Sequence, residues 1–230
     1  MHRKRVSWVY SREPQGTKAP GPLPCGEDPE PDTVSVRRTE LILASGSPRR
    51  AELLREIIPS FRIVPSDIQE DHAESEAPVA YALRVSREKA EEVSERVGCR
   101  KGGFWVLAGD TVVVVEGTVL GKPHDADHAR WMLDQLQDRS HEVLTGICLL
   151  NRRQEVCCLE AVRTRVWMRR IEPEEREAYI RTAEPFDKAG GYAIQGFGGR
   201  FVLKIDGSLS NVIGLPTERL RTLFRKYGIR

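Results

Sequence analysis

Asp110 sits between two apolar runs, Trp105-Val106-Leu107-Ala108-Gly109 and Thr111-Val112-Val113-Val114-Val115. A carboxylate in such surroundings is costly unless partners satisfy it or a reaction uses it. Two readings follow. Asp110 is either a turn acid capping a junction between two strands, or a metal ligand or general base at the mouth of a cleft. A second carboxylate, Glu70 in Asp67-Ile68-Gln69-Glu70, would join Asp110 in supplying the hard oxygen donors that Mg²⁺ or Mn²⁺ takes while sharing its shell with substrate phosphates.

A second set of residues points to an anion. Leu41-Ile42-Leu43-Ala44 reads as a short buried strand, Ser45-Gly46-Ser47 as a turn, and Pro48 suits the first position of a helix. Arg49 and Arg50 then fall in that helix's first turn, where the helix dipole disfavours cations by a few tenths to about 1 kcal/mol each. An anionic ligand would make them welcome. Lys122, in Gly117-Thr118-Val119-Leu120-Gly121-Lys122-Pro123, is either a point charge near the Asp110 end or a solvated turn lysine. That stretch is not a phosphate-binding P-loop, because it has three residues between the glycines and Pro123 in place of Ser or Thr. The glycines from Gly190 to Gly199 lack the dinucleotide fingerprint and suit close backbone approach to a ligand. Lys89 lies in a strongly charged helix and reads by default as a solvated face lysine. His124 and His128 have the i,i+4 spacing of a zinc pair but follow Pro123 at a helix start, so zinc is not favoured.

The elements that must position these groups alternate along an α/β pattern. Strands are expected at 41–44, 61–65, 105–109 and 111–116, followed by a short strand at 118–120, and helices at 48–57, 78–97 and 126–136. Long strand-like runs at 142–150 and 155–168 look antiparallel; a helix near 173–182, a strand at 201–205 and a final helix from about 217 complete the chain. That middle argues against a simple doubly wound sheet. Residues 1–38, with six prolines, read as a disordered tail before a single domain at 39–230. The chain of 230 residues is 40 % hydrophobic with 36 basic and 34 acidic residues, so no global field points to nucleic acid or an anionic membrane. The clusters Arg152-Arg153 and Arg169-Arg170 are interleaved with acids, and no apolar run approaches the length of a bilayer span. Five cysteines without C-x-x-C spacing suit a reducing cytoplasm, and Cys157-Cys158 reads as part of a strand.

Several motifs in one order closely resemble the Maf family of nucleotide pyrophosphatases: SGSPRR at 45–50, AGDTVV at 108–113, LGKP at 120–123, HEVLTGI at 141–147, EPFDKAGGYAIQG at 184–196 and DGSLSNVIGLP at 206–216. The resemblance covers about residues 40 to 225. It implies a mixed-sheet α/β fold like that of the inosine triphosphate pyrophosphatases, with a cleft between two lobes. It also implies hydrolysis of a nucleoside triphosphate to monophosphate and diphosphate with a divalent cation, and a homodimer is an expectation carried by the resemblance alone. Mapped onto this sequence, the active-site acid falls on Asp110 and the second carboxylate on Glu70. Ser45, Arg50, Lys89 and Lys122 fall around the phosphates, and Thr111, Arg49 and Gln195 at specificity positions. Gln137-Asp138-Arg139-Ser140 replaces the Ser-Gly lead usual before His141.

Within the resemblance one branch prefers dTTP and UTP, while another takes 7-methyl-GTP with an aromatic at the Arg49 position and Glu at the Gln195 position. Both positions here carry the pyrimidine-type residue. A uracil or thymine edge alternates acceptor, donor and acceptor, which Gln195 can match with both halves of its amide while Arg49 donates to a carbonyl. The expectation is a dTTP/UTP pyrophosphatase, extending to modified pyrimidine triphosphates. The rival readings are a nucleotide-sensing regulator of cell division or septum formation, a 7-methyl-GTP pyrophosphatase, and an interaction protein working through the tail.

Overall fold

The computed structural model describes residues 40–71, 76–98 and 103–230. The tail expected at 1–38 lies outside the described residues. A seven-stranded mixed sheet runs β2(Arg62–Ile63), β1(Glu40–Leu43), β3(Phe104–Val115), β5(Ser140–Asn151), β6(Val156–Met168), β7(Val202–Asp206), with β4(Thr118–Leu120) pairing on β3. β1 is parallel to β2 and β3, and every other pairing is antiparallel, as the long middle runs suggested. The helices are α1(Pro48–Arg55), α2(Pro78–Val97), α3(Ala126–Leu136), α4(Pro173–Arg181), α5(Leu209–Ile213) and α6(Thr217–Tyr227). The glycine-rich stretch forms three 3-10 turns between α4 and β7.

Two expectations are corrected. The runs on either side of Asp110 are one twelve-residue strand, so Asp110 is not a turn acid at a junction; it faces Gly146 across the β3–β5 ladder. The short helix α5 was not anticipated, since its five residues give too little periodicity to read. The turn before His141 closes with Asp138 at φ 56°, a left-handed position that aspartate tolerates.

β3 owes its importance to alternation. Its even positions face α2: Val106 and Ala108 pack with Ala90 and Val93, and Val112 and Val114 with Ala82 and Val85. Its odd positions face the other way and divide. Trp105 and Leu107 join a cluster with α1 and α6, whereas Val113 and Val115 join one with α3 and Tyr179 of α4. Gly109 and Thr111 fall between these two clusters, and Asp110 lies between the two α2-side groups. The strand's outer edge changes partner at the same place, because β1 pairs with residues 104–107 and β4 with 113–115. Residues 108–112 are thus the gap in an otherwise paired edge. Gly146 lets α2 cross close above this point; a Cβ there would run into the Ala82 carbonyl.

Candidate active site

On the α2 side, Lys89 reaches Asp110 Oδ1 at 2.9 Å and Glu70 Oε1 at 2.8 Å. The side chains of Lys89 and Asp110 are 8 % and 7 % exposed, whereas that of Glu70 is 49 % exposed and forms the open rim. The default reading of Lys89 as a solvated lysine is therefore wrong. It lies one helical turn from Val85 and from Val93, on the buried stripe of α2, while the ion pairs Arg84–Glu88, Arg87–Glu91 and Glu92–Arg96 carry the exposed faces. Two carboxylates on one ammonium leave the group with a net negative charge. Tyr81 hydrogen-bonds the Glu70 carbonyl at 3.1 Å, and its phenol registers that field: burial first, then Asp110 and Glu70, push its pKa to about 12.

On the other side, α1 begins as the sequence predicts. Ser47 caps it by accepting from Arg50 N at 3.4 Å, and Pro48 takes the first position. Arg50 turns back across the gap. Its Nε donates to Gly214 O at 2.9 Å, Nη1 to Ser45 Oγ at 3.2 Å and Nη2 to Thr111 Oγ1 at 3.1 Å. Thr111 contacts Thr145 Oγ1 at 3.0 Å, and Thr145 donates to Asn211 O at 3.2 Å, so the hydroxyls form a relay that ends on α5. Burial lowers the Arg50 pKa and its neighbour Arg49 adds to this, against the opposing pull of Asp110 and Glu70. Among the described residues every hydrogen-bond partner of the Arg50 guanidinium is a neutral oxygen. Its charge is oriented without being neutralised by an ion pair, which is the state of a residue prepared for an anion.

The remaining expected residues lie further out. Arg49 pairs with Asp187 Oδ2 at 3.5 Å, tying α1 to the stretch that also carries Gln195. Gln195 is exposed in the turn before Gly196, and Lys122 is exposed in the loop after β4. That loop is held to the glycine-rich stretch by Gly190 N donating to Gly121 O at 2.9 Å. Thus Asp110, Glu70 and Lys89 form one cluster and Ser45, Arg50 and Thr111 another, while among the described residues no hydrogen bond or ion pair links the side chains of Arg49, Gln195 or Lys122 to either. Two cavities of about 440 and 480 Å³ lie away from these clusters, at the β5–β6 turn and beside Arg230.

Residues 40–227 match the Maf-like protein family. The chain belongs to the Maf family. It is 43 % identical over 188 residues to a dTTP/UTP pyrophosphatase of Caldicellulosiruptor bescii, covering 82 % of this chain and 94 % of that one. A dTTP/UTP pyrophosphatase of Carboxydothermus hydrogenoformans is 46 % identical over 82 % of this chain and 99 % of its own. One from Myxococcus xanthus is 44 % identical over 85 % and 96 %. Among solved structures, the Ham1 protein of Staphylococcus aureus aligns with a TM-score of 0.48 at 12 % identity, covering 82 % of this chain and 100 % of that chain.

Residues that the sequence reading did not single out also shape the candidate site. Thr145 and Gly146 interrupt an apolar run on β5 much as Asp110 does on β3, and that interruption was the available signal. Glu184 organises the glycine-rich stretch: its carboxylate accepts from Phe197 N at 3.0 Å, Gly198 N at 3.1 Å and the Tyr179 hydroxyl at 3.1 Å. Asn211 is fully buried and donates to Val143 O and Thr164 Oγ1, which locks α5 and hence the Gly214 carbonyl that holds Arg50. Among the described residues no group of three or more His, Cys, Asp or Glu is arranged to hold a metal, and no helix is long and apolar enough to cross a membrane. At the start of α3 His124 is exposed and His128 half-buried, their rings in edge contact.

Proposed function

We propose that this Maf protein hydrolyses dTTP and UTP between the α and β phosphates, releasing the nucleoside monophosphate and diphosphate. The observation that carries the reading is the charge division across β3. A net-negative group, Asp110–Lys89–Glu70, adjoins an arginine held, among the described residues, by neutral oxygens. The names of relatives at 43–46 % identity support the same reaction and the same bases.

The donor set fits a hard divalent cation. Asp110 and Glu70 converge on one point, now occupied by the Lys89 ammonium, and Mg²⁺ or Mn²⁺ is usually held by one or two carboxylates with substrate phosphates and water completing the shell. When bound, such an ion neutralises phosphate charge. The chain's own residues do the rest. Arg50 and Ser45, at the N-terminus of α1, bind phosphate oxygens with the helix dipole behind them. Asp110, oriented by Lys89, accepts the proton of the attacking water as its oxygen bonds to the α phosphorus and the α–β anhydride breaks. Lys89, Lys122 and Arg50 then stabilise the departing diphosphate. Arg49 exchanges Asp187 for a base carbonyl, and Gln195 pairs with the remaining acceptor and N–H of uracil or thymine. Lengthening the base with a 5-methyl group leaves that edge unchanged, so modified pyrimidine triphosphates are included.

The test is diphosphate release from dTTP, UTP, CTP, GTP, ATP and 7-methyl-GTP with Mg²⁺ or Mn²⁺, run beside Asp110→Asn. The expected result is turnover led by dTTP and UTP, with the folded variant slower by at least roughly a hundredfold. Binding of UTP without turnover of any triphosphate would replace the enzyme with a nucleotide sensor. Near-normal turnover in the variant would remove Asp110 from the chemistry.

A further inference from the structure

The glycine-rich stretch is built around one carboxylate. Glu184 opens the 3-10 turn Glu184–Asp187, directly after Ala183 closes α4 in the left-handed conformation at φ 61°. Its Oε1 accepts from the Tyr179 hydroxyl and from Gly198 N, both at 3.1 Å, and its Oε2 accepts from Phe197 N at 3.0 Å. Three donors on two oxygens suit an ionised carboxylate, which has acceptor sites for all of them and no proton to set against them. The Tyr179 hydroxyl also accepts from Ala193 N at 3.3 Å, so Gln195 is carried on a loop pinned two residues before it and two residues after it. Gln195, Gly196 and Phe197 are exposed, so this loop has little apolar burial of its own, and the pins set its shape. The approach is close. A Cβ on Gly196 would lie 2.4 Å from either carboxylate oxygen of Glu184, and one on Gly199 2.4 Å from Ile194 O. The same turn ends at Asp187, which pairs with Arg49 at 3.5 Å. One short turn therefore holds both residues assigned to the base, Gln195 through Glu184 and Arg49 through Asp187.

We propose that Glu184 is a positioning residue for base recognition: it fixes the loop that presents Gln195 and thereby sets the preference for uracil and thymine over other bases. The role rests on Gln195 meeting the base edge, as in the proposed reaction. An amide reads two adjacent groups on a base only when it is held to within about 0.5 Å, and an exposed side chain beside a glycine has that precision only if its backbone is pinned. Glu184 does the pinning from behind, without touching the nucleotide.

Steady-state kcat and KM of the full chain for UTP, dTTP, CTP and GTP test the role. Glu184→Gln keeps the volume but sets an amide N–H₂ against a backbone N–H, which leaves a donor unpaired. KM for UTP and dTTP should rise about tenfold with a smaller change in kcat, while the constants for CTP and GTP move little, so the preference collapses by about tenfold. Gly196→Ala should give the same loss by forcing the carboxylate off its donors. On a Glu184→Ala background, where that Cβ has room, Gly196→Ala should add little, the non-additivity of two changes at one contact. Tyr179→Phe frees Ala193 N and removes one carboxylate bond; it should give a smaller loss in the same direction, and it carries the test where Glu184→Gln does not fold. A folded Glu184→Gln chain that keeps the wild-type preference, or that slows on all four nucleotides alike, overturns the positioning role. Gln195→Ala separates that failure from a failure of the reading beneath it. If Gln195→Ala keeps the preference, Gln195 does not read the base and the role of Glu184 falls with it. If Gln195→Ala loses the preference while Glu184→Gln keeps it, the role of Glu184 alone falls. Should the chain bind nucleotides without turnover, the same ratios are read as dissociation constants from competition with UTP.

Discussion

Asp110 and Thr111 are consecutive residues of one strand, yet they belong to opposite faces of the sheet and to opposite electrostatic solutions. On the Asp110 face, charges meet charges: one ammonium lies within 3 Å of two carboxylates. On the Thr111 face, a single guanidinium donates to two hydroxyls and a carbonyl. The first arrangement is stable as it stands and has a negative charge to spare, so it accepts a cation at small reorganisation. The second keeps a desolvated positive charge aimed into a gap, so it gains most from an anion. In the proposed reaction a triphosphate with a divalent cation would supply both partners at once, across residues 108–112 where the β3 edge is unpaired.

The largest predicted effect breaks the first face. Lys89→Met leaves Asp110 buried beside Glu70 with no cation between them, and removing one partner of a buried pair costs about 3–5 kcal/mol. Thermal or urea unfolding at neutral pH should show that loss. Millimolar Mg²⁺ should stabilise the variant more than the wild-type chain, because the carboxylates then have only the added ion as partner. A variant as stable as wild type would mean that the Lys89 bridge does not hold this face together.

A second prediction sharpens the contrast by pH. His141, on β5 behind the glycine-rich stretch, is buried against the Tyr192 hydroxyl at 2.8 Å, and burial lowers its pKa to about 4. Its unfolded value is near 6.5, so between these values the unfolded chain binds the extra proton and the folded chain does not. Stability contributed by neutral His141 is therefore complete above about pH 6.5 and is lost as pH falls toward 4, by up to about 3 kcal/mol. Urea midpoints measured across that range should fall more steeply in wild type than in His141→Gln. Parallel curves would mean that His141 is not what titrates.

Much of this arrangement was legible in the sequence, and the misses have physical causes. Pro48 and Ser47 announced the α1 start, and the strand-helix order and antiparallel middle followed from periodicity. Asp110 stood out because an acid in an apolar run needs a reason. Its placement in mid-strand was not legible, since Gly109 beside it looks the same in a turn as in a strand. From its own pattern Lys89 reads as solvated, and only the family resemblance places it at the phosphates, because its neighbours in sequence are charged although its neighbours in space are Val85 and Val93, four residues away on either side. The Arg50 partners could not be read at all. Gly214 O is a backbone atom 164 residues away, and no side-chain pattern encodes which carbonyl a fold will bring to a guanidinium.

The smallest predicted effect tests whether the second face depends on its relay. Thr145 accepts from Thr111 and donates to Asn211 O, so Thr145→Val preserves shape while removing both bonds. Asn211 keeps its side-chain anchors on Val143 O and Thr164 Oγ1, so α5 should stay in place. Thr111 would then turn its hydroxyl toward Gly214 O, now at 3.4 Å, and compete there with Arg50 Nε. One neutral hydrogen bond is worth about 1 kcal/mol, so looser aim of Arg50 should raise KM for UTP about fivefold. Because the Asp110 face is untouched and Arg50 is one of three cations on the departing diphosphate, kcat should change less than KM. A fall in kcat with unchanged KM would show that the relay reaches the reacting atoms and that the two faces of β3 are one catalytic unit.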